Sequence, residues 1–375
     1  MWLLAGVIFW ISFAILGYTY VGYPVLIIAL SKVRPRPVTK GDSQPTVSVV
    51  MAARNEQSRI AAKLDNLLAV DYPPDKLQII VVSDGSTDDT NEIVESYADR
   101  GVHLERLERD QGKAVALNQG VARATSDVLL FCDVRQRIDA QALCQLVAWF
   151  DDPRVGAVSG ELHLEGDQGP GAYWQYEKAI RGAESGVDSV VGATGALYAV
   201  RRTLFKELPP GCLLDDVYTP MQVVFAGYRV GFEPDARVFD QEASIEGEFA
   251  RKARTLAGNF QLFHLVPDML RPRRNRIFFQ VISHKVLRLV CPFALVLLFL
   301  TNLVLVLGGF QLGPLYWVML FGQLLAYGLA IWAFARTGHV GRLARLCHTF
   351  VVLNAAAVEG LRRYLKGELR WTTGR

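Results

Sequence analysis

"TVSVVMAARNE", residues 46–56, is the stretch from which the fold can be read. Eight small or β-rich apolar residues end abruptly on Arg54, Asn55 and Glu56. That pattern predicts a buried strand stopping at a polar edge. Three similar runs follow: "LQIIVVSD" (77–84), "VHLERLE" (102–108) and "VLLFCD" (128–133). Between them "RIAAKLDNLLAV" (59–70), "DDTNEIVESYADR" (88–100) and "GKAVALNQGVARA" (112–124) have the apolar spacing of helices. The second of these has Ser86, Thr87 or Asp88 available as its cap. Strands alternating with helices predict an α/β fold, a Rossmann-like, mostly parallel sheet with helices on both faces. Ligands meet such sheets at the carboxyl ends of the strands. There stand Arg54, Asn55 and Glu56, then Asp84, then Asp133. The turn after the first strand has no glycine, which removes the dinucleotide fingerprint, and no GxxxxGK[ST] loop occurs anywhere.

The rest of the chain is built for a membrane. Of 375 residues, 51% are hydrophobic and 21% charged, and mean hydropathy is +0.20. A soluble domain joined to a few spans fits that balance. The net charge of +3 implies no general affinity for nucleic acid. Five cysteines (132, 144, 212, 291, 347) make no metal-ligand spacing and read as reduced core residues. Residues 1–31 carry no charge and no basic leader, so a retained anchor is expected rather than a cleaved signal. Nothing between Arg288 and Arg336 is charged, and "GGFQLGP" (308–314) divides that run into spans near 289–307 and 315–335. Basic residues lie at 32–40, 271–288 and 336–345, and none lies in the 308–314 turn. The positive-inside rule then puts the N-terminus outside and the central domain and C-terminus in the cytoplasm. The apolar segment 346–358 is too short to span; it is expected to be an interfacial helix, with a re-entrant or third C-terminal span as alternatives. The expected organisation is an anchor (1–31), a basic linker (32–44), a catalytic domain (45–265), a basic interfacial segment (266–288), two spans (289–335) and a C-terminal helix with its tail (336–375).

Six ordered stretches resemble a known group: "SVVMAARNE", "IIVVSDGSTDDT", "GKAVALNQG", "LLFCDVRQ", "GATGALYAVRR" and "LLDDVYTPMQVVFAGYRVGFEP". Together they resemble the family 2 inverting glycosyltransferases, in particular the membrane-bound branch similar to bacterial polysaccharide synthases, which implies a bacterial inner-membrane protein. The resemblance covers roughly residues 45–290 and implies a GT-A fold. It also implies transfer of a sugar, with inversion, from a nucleotide-sugar (a UDP-sugar is expected) to a lipid-linked or polysaccharide acceptor. Such a transfer needs a grip on the nucleotide, compensation for the leaving diphosphate and a base for the acceptor hydroxyl. The resemblance assigns Glu56 and Asp84 to the nucleotide, with Arg54 beside them, and the base to Asp216 rather than its neighbour Asp215. Lys113, opening a helix after Gly112, is placed to meet phosphate. Thr194 and Gly195 resemble the acceptor loop, and Trp174 is positioned as a stacking platform for an acceptor sugar or as core.

Two departures stand out. The family's strand-end Asp-x-Asp holds Mg²⁺ or Mn²⁺ against the diphosphate, but here it reads Asp133-Val134-Arg135. Either Asp133 anchors the metal alone, or Arg135 grips the diphosphate itself, or the site is silent. Asp139 is expected to start the next helix rather than replace the missing ligand. The processive QxxRW motif corresponds to "RKART" (251–255), which keeps Arg254 for the diphosphate and lacks the Gln and Trp. That loss disfavours a processive synthase, which with so few spans would also need a membrane partner or homo-oligomer. A catalytically silent nucleotide-sugar-binding subunit is the alternative from another class.

Overall fold

The computed structural model describes residues 2–165, 172–241, 245–308, 314–336 and 340–369. The expected 308–314 turn, apart from its two ends, and the last six residues of the tail lie outside the described residues.

The chain starts with α1 (Trp2–Gly17), a π-helical turn (Tyr18–Gly22) and α2 (Tyr23–Val33), which form one continuous apolar rod. The linker then enters the sheet. β1 (Val47–Ala53), α3 (Ile60–Leu68), β2 (Leu77–Asp84), α4 (Thr90–Glu95), β3 (Val102–Leu107), α5 (Lys113–Arg123) and β4 (Val128–Cys132) follow the expected alternation closely. Next come β5 (Arg137–Ile138), α6 (Ala142–Val147), β6 (Val155–Glu165), α7 (Ala172–Val187), β7 (Leu197–Arg201), α8 (Asp215–Phe225) and β8 (Arg229–Gln241). The strand order is β3-β2-β1-β4-β7-β6-β8-β5. The first four strands are parallel, with Val47 opposite both Leu77 and Val128. Past β4 the sheet is mixed: β7 runs antiparallel to β4 and β6, and β8 parallel to β6. β1 and β4 are buried at every position because helices cover both faces. One apolar layer joins α3 and α6 to the sheet, and the other joins α5 and α8.

α9 (Ile245–Leu265) leaves the sheet and leads through α10 (Phe278–Gln280) and a second π-helical turn (Val281–Val286) into α11 (Leu287–Leu307). α12 (Pro314–Ala335) and α13 (Arg342–Leu365) complete the chain. Among the described residues, three helical segments are long and apolar enough to cross a bilayer: Trp2–Val33, Phe278–Leu307 and Pro314–Ala335. The two longest run past ~20 residues, the length that crosses ~30 Å of hydrocarbon, so each has a part left over for the domain. In the first segment that part is α2, whose Tyr23 and Ile27 bury against Ile180 and Ala183 of α7. At its other end Phe9 meets Leu305 and Tyr316. The helix expected around 346–358 is longer than its apolar run and lies against α9 and α12. Gly360 permits this, because a Cβ there would stand 2.9 Å from the Ala257 backbone nitrogen.

Candidate active site

The site gathers where four strands stop. The β1–α3 and β2–α4 loops brace each other: Asn55 Oδ1 accepts from the Thr87 N–H at 2.8 Å, and the Glu56 N–H donates to Thr90 Oγ1 at 2.8 Å. Asn55 holds φ +54°, a left-handed conformation that asparagine tolerates. Arg54 turns from this loop to Asp110 at 2.6 Å. Glu56 is buried, burial raises its carboxyl above the ordinary value, and the charges of Arg59, Asp133 and Arg135 act on it. Asp84 is fully buried at 0% exposure. Its two oxygens accept the backbone N–H groups of Gln111 (2.7 Å) and Gly112 (3.0 Å), so it sets where α5 begins. Gly85, at φ +64°, lets the Asp110 backbone come close enough for this bond pair to form.

Lys113, the first residue of α5, bridges two elements. Its Nζ lies 2.9 Å from Asp133 Oδ1 at the end of β4 and 3.1 Å from Asp215 Oδ1 at the start of α8. Burial alone would lower its ammonium; the Asp133 and Asp215 carboxylates outweigh burial and hold it above its ordinary value. Lys113, expected to meet phosphate, is paired with both of these acids. Asp215 is buried and also accepts from the Tyr198 hydroxyl at 3.0 Å, so both its oxygens are engaged. Asp216 differs. It is half-buried, and its carboxylate faces Gly195, where a Cβ would come within 3.3 Å of Oδ2. Burial first, and then Asp215, pushes the Asp216 carboxyl up to about 6, against the opposing charges of Lys113 and Lys285. The 193–195 loop is tied down beside it. The Ala193 N–H donates to the Asp216 carbonyl (2.7 Å) and the Thr194 N–H to Ser159 Oγ (2.9 Å). Arg181 Nη2 donates to the same Ser159 oxygen at 2.6 Å. Trp174 lies on α7 beneath the Lys252 ammonium, 5.3 Å from its ring centre.

Arg135 is ion-paired in this structure. Its Nη2 lies 2.5 Å from Asp240 Oδ2 on β8, a carboxylate that also accepts from Gln136 Nε2 at 3.1 Å. Arg251 Nη1 stands 3.8 Å from the same oxygen and pairs with Glu248. Arg254, one turn along α9, is partly buried, which lowers its guanidinium, and Asp133 and Asp216 act on its charge. Asp139 accepts from the Gln141 N–H at 3.0 Å, as a residue leading into a helix does.

Among the described residues, no group of three or more His, Cys, Asp or Glu could hold a metal. What the strand end offers is Asp133, whose side chain is 40% exposed. One carboxylate suffices for Mg²⁺ or Mn²⁺ when a substrate diphosphate supplies further oxygens. The residues therefore fit an ion shared with the nucleotide, and do not fit a cage built from protein alone. Sequence reasoning missed Asp240 and Tyr198. Asp240 is 105 residues from Arg135, and nothing local marks it as a partner.

A sheet of this order, with acids at the strand ends, a helix opening on two aspartates and a glycine loop facing one of them, defines a GT-A-type α/β architecture. Residues 48–208 match the family described as Glycosyl transferase family 2. It is 25% identical over 266 residues to the probable glycosyltransferase YdaM of Bacillus subtilis, covering 63% of this chain and 61% of that one. It is 27% identical over 212 residues to poly-beta-1,6-N-acetyl-D-glucosamine synthase of Staphylococcus aureus, covering 53% and 50%. The chain thus spans only about half to three-fifths of the length of these curated relatives. Mannosyltransferase PcManGT from Pyrobaculum calidifontis, solved with GDP-Man and Mn²⁺, has the same fold over 96% of this chain and 99% of its own, with TM-score 0.73 and 24% identity.

Proposed function

We propose that the protein is a membrane-integral inverting glycosyltransferase that moves one sugar, or successive sugars, from a nucleotide-sugar to a lipid-linked or polysaccharide acceptor at the cytoplasmic face. The observation that carries this reading is the difference between two adjacent acids. Asp215 is fully bonded to Lys113 and Tyr198, whereas Asp216 opens toward Gly195 with its carboxyl pushed up to about 6. A base of that strength is deprotonated at neutral pH and still accepts a proton as an acceptor hydroxyl attacks.

In the proposed reaction the acceptor oxygen attacks the anomeric carbon from the face opposite the diphosphate, and its proton passes to Asp216. The carbon–oxygen bond to the nucleotide breaks, and the electron pair leaves on the terminal phosphate. Single displacement needs no protein nucleophile. Charge on the departing diphosphate is met by Lys113 and Arg254, with Glu56 and the Asp84-braced loop holding the nucleotide side. Asp133 is the residue that would hold a divalent ion, which when bound would help neutralise charge on the leaving group. Arg135 shapes this region through Asp240 and stands beside the diphosphate path.

The three apolar helices and the basic residues flanking them support a bilayer location with the domain in the cytoplasm and the N-terminus outside. UDP-sugars and GDP-mannose are the donors to test first, the latter because the solved neighbour carries it. The deciding experiment incubates the chain in nanodiscs with each labelled nucleotide-sugar and a lipid extract, then reads product mass and anomeric configuration. Transfer with inversion supports the proposal. Nucleotide binding without turnover on any acceptor would instead favour a silent subunit, and long polymers a processive synthase.

A further inference from the structure

A cavity of about 510 Å³ opens between the linker that follows α2, one face of α7 and the start of β8. None of the residues placed in the candidate active site lines it. Its size suits a small molecule. Four cationic side chains line it: Arg36 and Lys40 from the linker, Lys178 from α7 and Arg229 from β8. Trp149 and Phe232 add an apolar wall, and among the described residues no acid lines it. Three of the four cations pair with an acid outside the lining. Arg36 Nη1 lies 2.9 Å from Asp188 Oδ2, a carboxylate whose other oxygen is 3.0 Å from Arg276 Nε. Lys40 pairs with Glu233, which also accepts from Trp149 Nε1 at 2.6 Å. Lys178 Nζ lies 2.6 Å from Glu161 Oε2.

Arg229 is different. It is 7% exposed, and among the described residues it makes no ion pair. Its Nε donates to the Asp188 carbonyl at 2.9 Å and its Nη2 to the Ser185 carbonyl at 2.7 Å, both neutral acceptors. Its Nη1 is buried and has no hydrogen-bond partner among the described residues. A buried, charged donor left unsatisfied costs free energy, and a ligand oxygen in the cavity would remove that cost. The donors define the ligand. They come from three separate elements, and the ammonium groups of Lys40 and Lys178 each keep donors beyond the one spent on an acid. A carboxylate has two oxygens in one plane, whereas a phosphate group offers three around a tetrahedral centre and carries up to about two charges. The linker residues also lie past the end of α2, whose 11 residues extend ~16 Å beyond the π-helical turn Tyr18–Gly22. A ligand there arrives from water rather than from the head groups.

We propose that this cavity binds a small soluble anion bearing a phosphate group, held by Arg229 Nη1 together with Lys40 and Lys178. The site is separate from the strand ends that a nucleotide would use, so it stands whether or not the chain transfers a sugar.

The test titrates pyrophosphate into the full chain in dodecyl maltoside micelles with EDTA present, read by calorimetry. Wild type should bind it saturably. Arg229→Gln should weaken binding by about tenfold or more, as loss of one charge-assisted contact does. Gly182→Leu is the second variant. Gly182 lines the cavity on α7, and a Cβ there meets nothing within 4 Å, so a leucine enters open space without disturbing the helix. It should abolish binding with Tm unchanged or raised, and it decides alone if Arg229→Gln melts far below the wild type. Arg254→Gln, in the proposed diphosphate grip, and Arg273→Gln, at an exposed position, should bind as wild type does. Absence of saturable binding by wild type overturns the proposal, as does wild-type affinity in Gly182→Leu. A loss in Arg254→Gln equal to that in Arg229→Gln would place the anion at the nucleotide site, and an equal loss in Arg273→Gln would reduce it to general surface charge; either overturns the proposal. Displacement of pyrophosphate by phosphatidylglycerol added to the micelles would make the ligand a lipid head group and overturns it too.

Discussion

Restoring the family's second strand-end acid with Arg135→Asp should damage this protein rather than repair it. In wild type the Arg135 guanidinium lies 2.5 Å from Asp240, whose side chain is 3% exposed. Two unit charges 4 Å apart at an effective dielectric of about 20 attract by ~4 kcal/mol. Arg135 is itself 37% exposed, so solvent screening reduces this to about 2 kcal/mol. The substitution also places a second carboxylate beside a buried one, with only Gln136 and the more distant Arg251 left to compensate. The total cost comes to about 3 kcal/mol, the lower end of what breaking a buried pair costs. For a domain of this size that is a drop of roughly 6–12 °C in Tm. Thermal melting of the full chain in nanodiscs measures it, and the charge swap Arg135→Asp with Asp240→Arg should recover most of the loss. A variant melting at or above wild type, or a swap that recovers nothing, would refute the claim that Asp240 holds Arg135.

Three other outcomes follow from the site. Asp216→Asn should cut kcat by about 10²–10⁴-fold while nucleotide binding persists. Because the base works deprotonated, wild-type kcat/KM should rise with pH through about 6 and level off above it; a profile flat across that range would remove Asp216 from the role. Gly195→Ala would set a methyl 3.3 Å from Asp216 Oδ2 and should raise acceptor KM several-fold with donor KM unchanged, read by steady-state kinetics. Chelation with EDTA should weaken GDP or UDP binding by about tenfold or more, with recovery on added Mn²⁺, and Asp133→Asn should reproduce the loss in calorimetry.

The sequence by itself determined the alternating strands and helices of the first half, the three apolar segments and the acids at the strand ends. All of these are local: period, length and the point where an apolar run stops are written in consecutive residues. The motif order that marked Asp216 out from Asp215 was also legible in the chain. Its physical basis was not, because that depends on which acid meets Lys113 and Tyr198. Nor could the sequence show that β7 enters antiparallel beside β4, since strand direction follows from how distant connections cross the sheet. The strand-end arginine is the clearest case. Read locally, Arg135 looked like a missing ligand or a diphosphate clamp. Its partner Asp240 comes from the far end of the sheet, and only folding brings the two together. Lys285 was hidden for the same reason: in the sequence it is one of several basic residues before a span. Only the tertiary structure gives its neighbours His284 and Arg288 their acids and brings the Lys285 charge to bear on Asp216.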